Sequence, residues 1–73
     1  MALLYLEAVG PRGEELAFAA GDAMDVPVGF DPDLESATFD ADSYGEDDLR
    51  ETVIEALTEL EPDWRSHLRV LDD

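Results

Sequence analysis

The sequence contains no cysteine, no lysine and no long apolar run. Without cysteine, neither a disulfide nor a thiolate zinc site can stabilise the chain. No stretch approaches the roughly 18 apolar residues that indicate a membrane span. The first residues also lack the basic and apolar regions of a signal peptide. We therefore expect a cytoplasmic protein that does not enter a membrane.

Acidic side chains dominate what is present. The 73 residues include 20 Asp and Glu against four Arg, which gives a formal net charge of −16. At ordinary ionic strength, where the Debye length is about 10 Å, these carboxylates repel one another and favour expansion of the chain. In molar salt the Debye length falls to about 3 Å, and the repulsion is largely screened. The composition resembles that of cytoplasmic proteins from salt-accumulating halophiles, most often haloarchaea.

The apolar residues predict a folded chain rather than a disordered one. They make up 45% of the sequence and occur in periodic blocks separated by Gly and Pro. We expect one domain over residues 1–73, because no linker, repeat or low-complexity segment divides the chain. A domain of this size buries only about 60% of its unfolded surface and is marginally stable alone. Salt, a second copy or a protein partner would add stability.

The first half of the chain predicts β-strands. Residues 2–9 and 14–20 are apolar-rich blocks on either side of a Gly-Pro-Arg-Gly turn, so we interpret them as an N-terminal hairpin. Apolar residues alternate with others over residues 24–30, where Pro27 restricts the segment to an edge strand or an extended loop. Residues 31–41 are ambiguous between a short helix and a strand, and the alternation over Ser36–Ala41 favours the strand.

The second half predicts one helix and one strand. A helix from about Glu46 to Leu60 is indicated by apolar residues at helical spacing, by a capping box of Ser43 and Glu46, and by Pro62 beyond its last turn. Residues 64–71 alternate as a strand with one buried face. The fold is therefore predicted to be α+β. It has a small antiparallel sheet, made of the hairpin, one or two middle strands and the C-terminal strand, with one amphipathic helix packed on one face.

Residues 40–51 resemble the calcium loop of EF-hand proteins. That loop ligates through oxygens at its first, third, fifth and ninth positions and a Glu at its twelfth, with Gly at the sixth. The residues that match are Asp40, Asp42, Gly45, Asp48 and Glu51. The resemblance implies that the four carboxylates bind a calcium ion. The alternative is a solvated acidic loop whose charges stabilise the N-terminal end of the following helix.

Two other groups of residues are candidate contact surfaces. Arg65, His67 and Arg69 share one face of the predicted C-terminal strand, where they could bind phosphate or an acidic partner, or pair with carboxylates on a neighbouring strand. The apolar residues of the predicted edge segment are Met24, Val26, Val28 and Phe30. They could pair with a second copy of the chain or fill the far end of the core.

These observations favour a noncatalytic interaction or accessory module of a halophilic cytoplasm, which self-associates or binds a protein partner. Calcium binding through residues 40–51 is the alternative hypothesis, and a small enzyme or enzyme subunit is the third. No Ser-His-Asp arrangement, phosphate-binding glycine loop or His cluster supports catalysis. The cations are too few for direct nucleic-acid binding to survive molar salt. Apart from calcium, no cofactor is indicated.

Overall fold

A computed structural model describes residues 2–71 of the chain. In chain order, the elements of this part are β1 (Ala2–Ala8), α1 (Gly13–Met24), β2 (Val28–Asp31), β3 (Ser36–Ala41), α2 (Glu46–Leu60), a short 3-10 helix (Trp64–Ser66) and β4 (Leu68–Val70). The strands form one antiparallel sheet in the order β2-β3-β1-β4. This order of elements is the split βαβ arrangement of ferredoxin-like folds, which hosts many unrelated functions and assigns none.

The two faces of the sheet differ in what covers them. Along β1, Leu4 and Leu6 are buried, whereas Leu3 and Tyr5 on the opposite face are exposed. Both helices contact β1 and each other, and their apolar residues join those of the sheet in one core. The buried apolar residues are Ala2, Leu4, Leu6, Leu16, Ala17, Ala20, Val26, Ala37, Phe39, Ala41, Leu49, Val53, Leu57, Trp64 and Leu68. The helices therefore cover one face of the sheet and leave the other open.

The predicted α+β class, with an antiparallel sheet and helix packing on one face, is confirmed. The strand at Ser36–Ala41 and the helix at Glu46–Leu60 have the bounds that the sequence indicated. The predicted capping box is absent, because Gly45 is the N-cap residue and no side chain caps this helix. Within residues 2–71, no helix combines the length and the apolar character needed to cross a membrane.

One part of the prediction is corrected, because residues 14–20 belong to α1 and not to a hairpin strand. The alternation of Leu16, Phe18 and Ala20 suggested a strand, but Phe18 is 40% exposed while Ala17 is buried. The buried residues of α1 are Gly13, Leu16, Ala17, Ala20 and Gly21, which follow helical spacing. Alanine has the highest helix propensity, and acidic residues in the first turn favour the helix dipole.

The C-terminal segment is also partly corrected. Residues 64–71 were expected to form a strand throughout, but β4 covers only Leu68–Val70 and a 3-10 helix precedes it. The hydroxyl of Ser66 donates to the Asp63 carboxylate at 2.9 Å, and the backbone N–H of His67 donates to the Trp64 carbonyl at 2.9 Å. These local hydrogen bonds favour a turn of helix over an extended backbone.

Candidate functional site

Three of the four arginines line one groove between α2 and β4. They are Arg50, Arg65 and Arg69, and the apolar residues Val9, Ile54, Leu68 and Val70 complete the lining. We call this set of residues the arginine groove. Its volume is about 330 Å³, and no acidic residue belongs to its lining in the described part of the chain. On a chain with 20 carboxylates, the groove is a local concentration of positive charge.

Each arginine of the groove comes from a different element. Arg50 lies near the start of α2, where it is half-buried, and Ile54 follows it one turn later on the same side of the helix. Arg65 lies in the 3-10 helix, with its guanidinium carbon 4.4 Å from the centre of the Trp64 ring. Arg69 lies on β4, opposite Glu7 of β1. The groove therefore exists only when the helix, the 3-10 turn and the strand are assembled.

Trp64 fixes the position of Arg65. The indole is 2% exposed, and its N–H donates to the hydroxyl of Thr58 on α2 at 3.1 Å. A guanidinium stacked on an aromatic face is held by cation–π attraction of roughly 0.5–1 kcal/mol at an exposed site. Arg65 is otherwise exposed, so its guanidinium can also donate to a carboxylate or phosphate.

Arg69 already has a carboxylate partner, but the bond is readily exchanged. Its Nη2 lies 2.8 Å from Oε1 of Glu7, and 63% and 36% of the two side chains are exposed. Exposed ion pairs of this kind contribute about 0–1 kcal/mol. An incoming anion can therefore compete with Glu7 for Arg69 at small cost.

Arg12 is separate from the groove and is held in a different network. Its Nε lies 3.0 Å from Glu15 and its Nη1 lies 3.0 Å from Glu61, which links the start of α1 to the residue after α2. The hydrogen bond and charge of Glu15, with a further contribution from Glu61, raise the pKa of Arg12. This arginine is a natural internal control for any experiment on the groove.

The predicted row of Arg65, His67 and Arg69 does not lie on one strand, because only Arg69 belongs to β4, but Arg65 and Arg69 both line the arginine groove. His67 follows the 3-10 helix outside β4, and its Nδ1 is buried without a hydrogen-bond partner among residues 2–71. Pairing with a carboxylate on a neighbouring strand, the other interpretation of the row, holds for Arg69 and Glu7. Sequence reasoning missed Arg50 and Ile54, whose one-turn spacing in a predicted helix was the available signal.

The predicted apolar interface lies at the margin of the core. Val26 is buried, and Met24, Val28 and Phe30 are partly buried against the core residues. This packing is what the core-filling interpretation expects. Pairing of this segment with a second copy stays a prediction.

The residues of the predicted calcium loop extend over three elements of the fold. Asp40 lies in β3, Asp42 in the following turn, and Asp48 and Glu51 in α2, so a strand leads into the loop where EF-hand proteins have a helix. Among residues 2–71, no group of three or more acidic or His side chains is close enough together to hold a metal ion. Calcium binding in solution stays a prediction.

A larger groove of about 830 Å³ lies near the β2–β3 turn. Its apolar residues include Phe30 and Leu34, and its charged residues are Glu7, Glu14 and Glu35. All of its charges therefore have the sign that prevails over the whole chain. The arginine groove is distinguished from the rest of the surface by its charge, whereas this groove is not.

Comparisons of the chain with protein-family models, with curated protein sequences and with solved structures find no match.

Proposed function

We propose that the chain is a noncatalytic interaction module that binds an acidic, partly apolar segment of a partner protein in the arginine groove. The observation that supports this function is the convergence of Arg50, Arg65 and Arg69 on one groove. Guanidinium groups bind carboxylates through paired hydrogen bonds, which gives directional recognition as well as charge attraction.

The apolar part of the groove defines the class of partner more closely. Ile54 and Val70 are partly buried, and Val9 is 50% exposed. In molar salt the attraction between separated charges is screened, while the burial of apolar surface persists. A ligand that combines carboxylates with apolar side chains uses both kinds of contact. Nucleic acid is a poorer ligand, because its binding depends mainly on phosphate contacts, which weaken steeply with salt, and the groove offers only three arginines for them.

We place this module in the cytoplasm of a halophile. The net charge of −16 supports that setting. Apart from Arg12, every Arg of the sequence lines the groove, and the sequence has no Lys. In a proteome rich in acidic surfaces, an excess of carboxylates gives little selectivity. Selective binding then depends on the few cations and on the apolar residues between them.

The proposal is tested with a short, end-blocked, fluorescent peptide of alternating Glu and Val. Its binding is measured by anisotropy in about 2 M KCl, a concentration that screens long-range charge. We expect the Arg65→Gln/Arg69→Gln double variant to bind the peptide about tenfold more weakly, because it loses two exposed ion pairs that contribute up to about 1 kcal/mol each. Arg12→Gln is the matched control, since it removes one positive charge outside the groove.

Equal affinity of the wild type, the double variant and Arg12→Gln would contradict the proposal. Circular dichroism of each variant establishes that it is folded. A single-stranded oligonucleotide in place of the peptide tests the competing ligand, and tighter binding of the oligonucleotide would also contradict the proposal.

Self-association through the segment from Met24 to Phe30 is the second candidate function. The observation that favours it is the position of β2 at one edge of the sheet, with Val28 and Phe30 partly exposed. Light scattering in molar KCl measures the oligomeric state. Phe30→Asp should dissociate the oligomer, whereas Leu34→Asp adds the same charge at an exposed turn residue and should not. An oligomer that survives Phe30→Asp would exclude this interface.

A further inference from the structure

We infer that the partner segment binds as an additional strand along the outer edge of β4, through backbone hydrogen bonds to Leu68 and Val70. This inference rests on the proposed function of the arginine groove and specifies the conformation of its ligand. It makes the groove a site of β-augmentation, in which the sheet supplies affinity through the main chain and the side chains supply selectivity.

The hydrogen bonds between β1 and β4 show which backbone groups face outward. The N–H of Val9 donates to the carbonyl of His67 at 2.9 Å, and the N–H of Leu71 donates to the carbonyl of Tyr5 at 3.0 Å. In an antiparallel ladder, residues that exchange hydrogen bonds alternate with residues that do not. Leu68 and Val70 occupy the alternate positions, so their N–H and C=O groups point away from β1.

No other strand of residues 2–71 lies beyond β4, because the sheet order ends there. Both outward-facing residues, Leu68 and Val70, belong to the lining of the arginine groove. The groove therefore runs along an unpaired sheet edge. An extended segment placed in it meets backbone donors and acceptors at the spacing of a neighbouring strand.

The side chains around this edge suit a strand with alternating acidic and apolar residues. Arg69 lies on the open face of the sheet with Glu7, whereas Ile54 comes from α2 on the covered face. Successive side chains of a strand point to opposite faces. One set of the ligand's side chains therefore meets Arg69, and the other set meets Ile54.

The opposite edge of the sheet is unsuited to the same ligand. β2 is preceded by Pro27 and followed by Pro32, and it ends with the carboxylate of Asp31. Proline and charge next to an edge strand hinder the addition of an extended acidic segment there. An acidic strand beside β2 would also meet like charge without a compensating arginine in the strand itself.

The test uses the alternating Glu-Val peptide in two N-methylated forms, one methylated on its Val residues and the other on its Glu residues. In a strand paired along one edge, only one of these two sets of amides faces β4, since backbone groups alternate with the side chains. We expect one form to bind at least tenfold more weakly than the parent peptide and the other to bind as the parent does. The full chain is used, in about 2 M KCl.

Amide hydrogen exchange of the protein gives a second readout. The amides of Leu68 and Val70 should exchange more slowly when the parent peptide is bound, whereas those of Val28 and Phe30 at the β2 edge should not change. Equal effects of the two methylated forms, together with unchanged exchange at Leu68 and Val70, would overturn the strand geometry. If the parent peptide still bound with dependence on Arg65 and Arg69, the proposed function would stand without it. Absence of parent binding would overturn both.

Discussion

At the scale of single residues, Gly21 shows how closely α1 packs on β2. A Cβ atom at this position would clash with Cγ2 of Val28 and would lie 3.0 Å from the carbonyl oxygen of Val26. One of these two neighbours is a backbone atom, which cannot move aside as a side chain can. The glycine therefore sets the distance between the helix and the sheet, and the sequence pattern around it gave no sign of this contact.

We predict that Gly21→Ala lowers the free energy of unfolding by about 1–3 kcal/mol, the usual cost of overpacking a core. Gly29→Ala is the matched control, because a Cβ atom there meets nothing within 4 Å. We expect the control to change stability by no more than about 0.5 kcal/mol. Urea unfolding of both variants in about 2 M KCl measures the difference, and similar losses in the two would contradict the packing of α1.

The residues of the candidate site could be predicted only in part. Arg65 and Arg69 stood out because cations are rare in this sequence. Arg50 and Ile54 did not, because their proximity to β4 depends on how α2 lies across the sheet. Contacts between residues distant in the chain are not encoded in local periodicity, which is the main signal that a single sequence offers.

At the scale of elements, predictions held where two local signals agreed. For α2, apolar spacing and Pro62 both indicated the helix and its end. For α1, a chance alternation of apolar residues opposed the helix propensity of its alanines, and the alternation was misleading. The packing of α1 against α2 and β1 decides the outcome, because short helices owe most of their stability to tertiary contacts.

The exposed face of α2 carries a row of like charges. Glu51, Glu55 and Glu59 recur at four-residue spacing and are all exposed. Like charges at this spacing destabilise a helix by about 0.2–0.5 kcal/mol per pair. We predict that Glu55→Lys stabilises the protein in dilute buffer by replacing two repulsive pairs with two attractive ones.

Thermal unfolding of Glu55→Lys at low salt and in about 2 M KCl measures this effect, since salt screens exposed pairs. Glu55→Gln is the control that removes the repulsion without adding attraction, and we expect it to have an intermediate stability. A gain of the same size in both salt concentrations would contradict the electrostatic explanation.

At the scale of the whole molecule, a net charge of −16 acts on a fold with a Cα radius of gyration of 10.8 Å. The Debye length of about 10 Å at 0.1 M salt is comparable with this radius, so carboxylates on neighbouring parts of the surface still repel one another. We predict that the unfolding midpoint rises between about 0.1 M and about 2 M KCl, by about 4–8 °C for each kcal/mol of repulsion relieved. Circular dichroism melting curves measure the change. Cooperative unfolding in dilute buffer, with the same midpoint as in about 2 M KCl, would contradict the halophilic setting.

Binding of an acidic, partly apolar protein segment in the arginine groove can be observed at the arginines themselves. The side-chain Nε–Hε signals of the arginines are followed by NMR while the alternating Glu-Val peptide is added in about 2 M KCl. We expect saturable shifts at Arg50, Arg65 and Arg69 with one common affinity, and no shift at Arg12, which Glu15 and Glu61 hold outside the groove. Small, unsaturating shifts of similar size at all the arginines would contradict it.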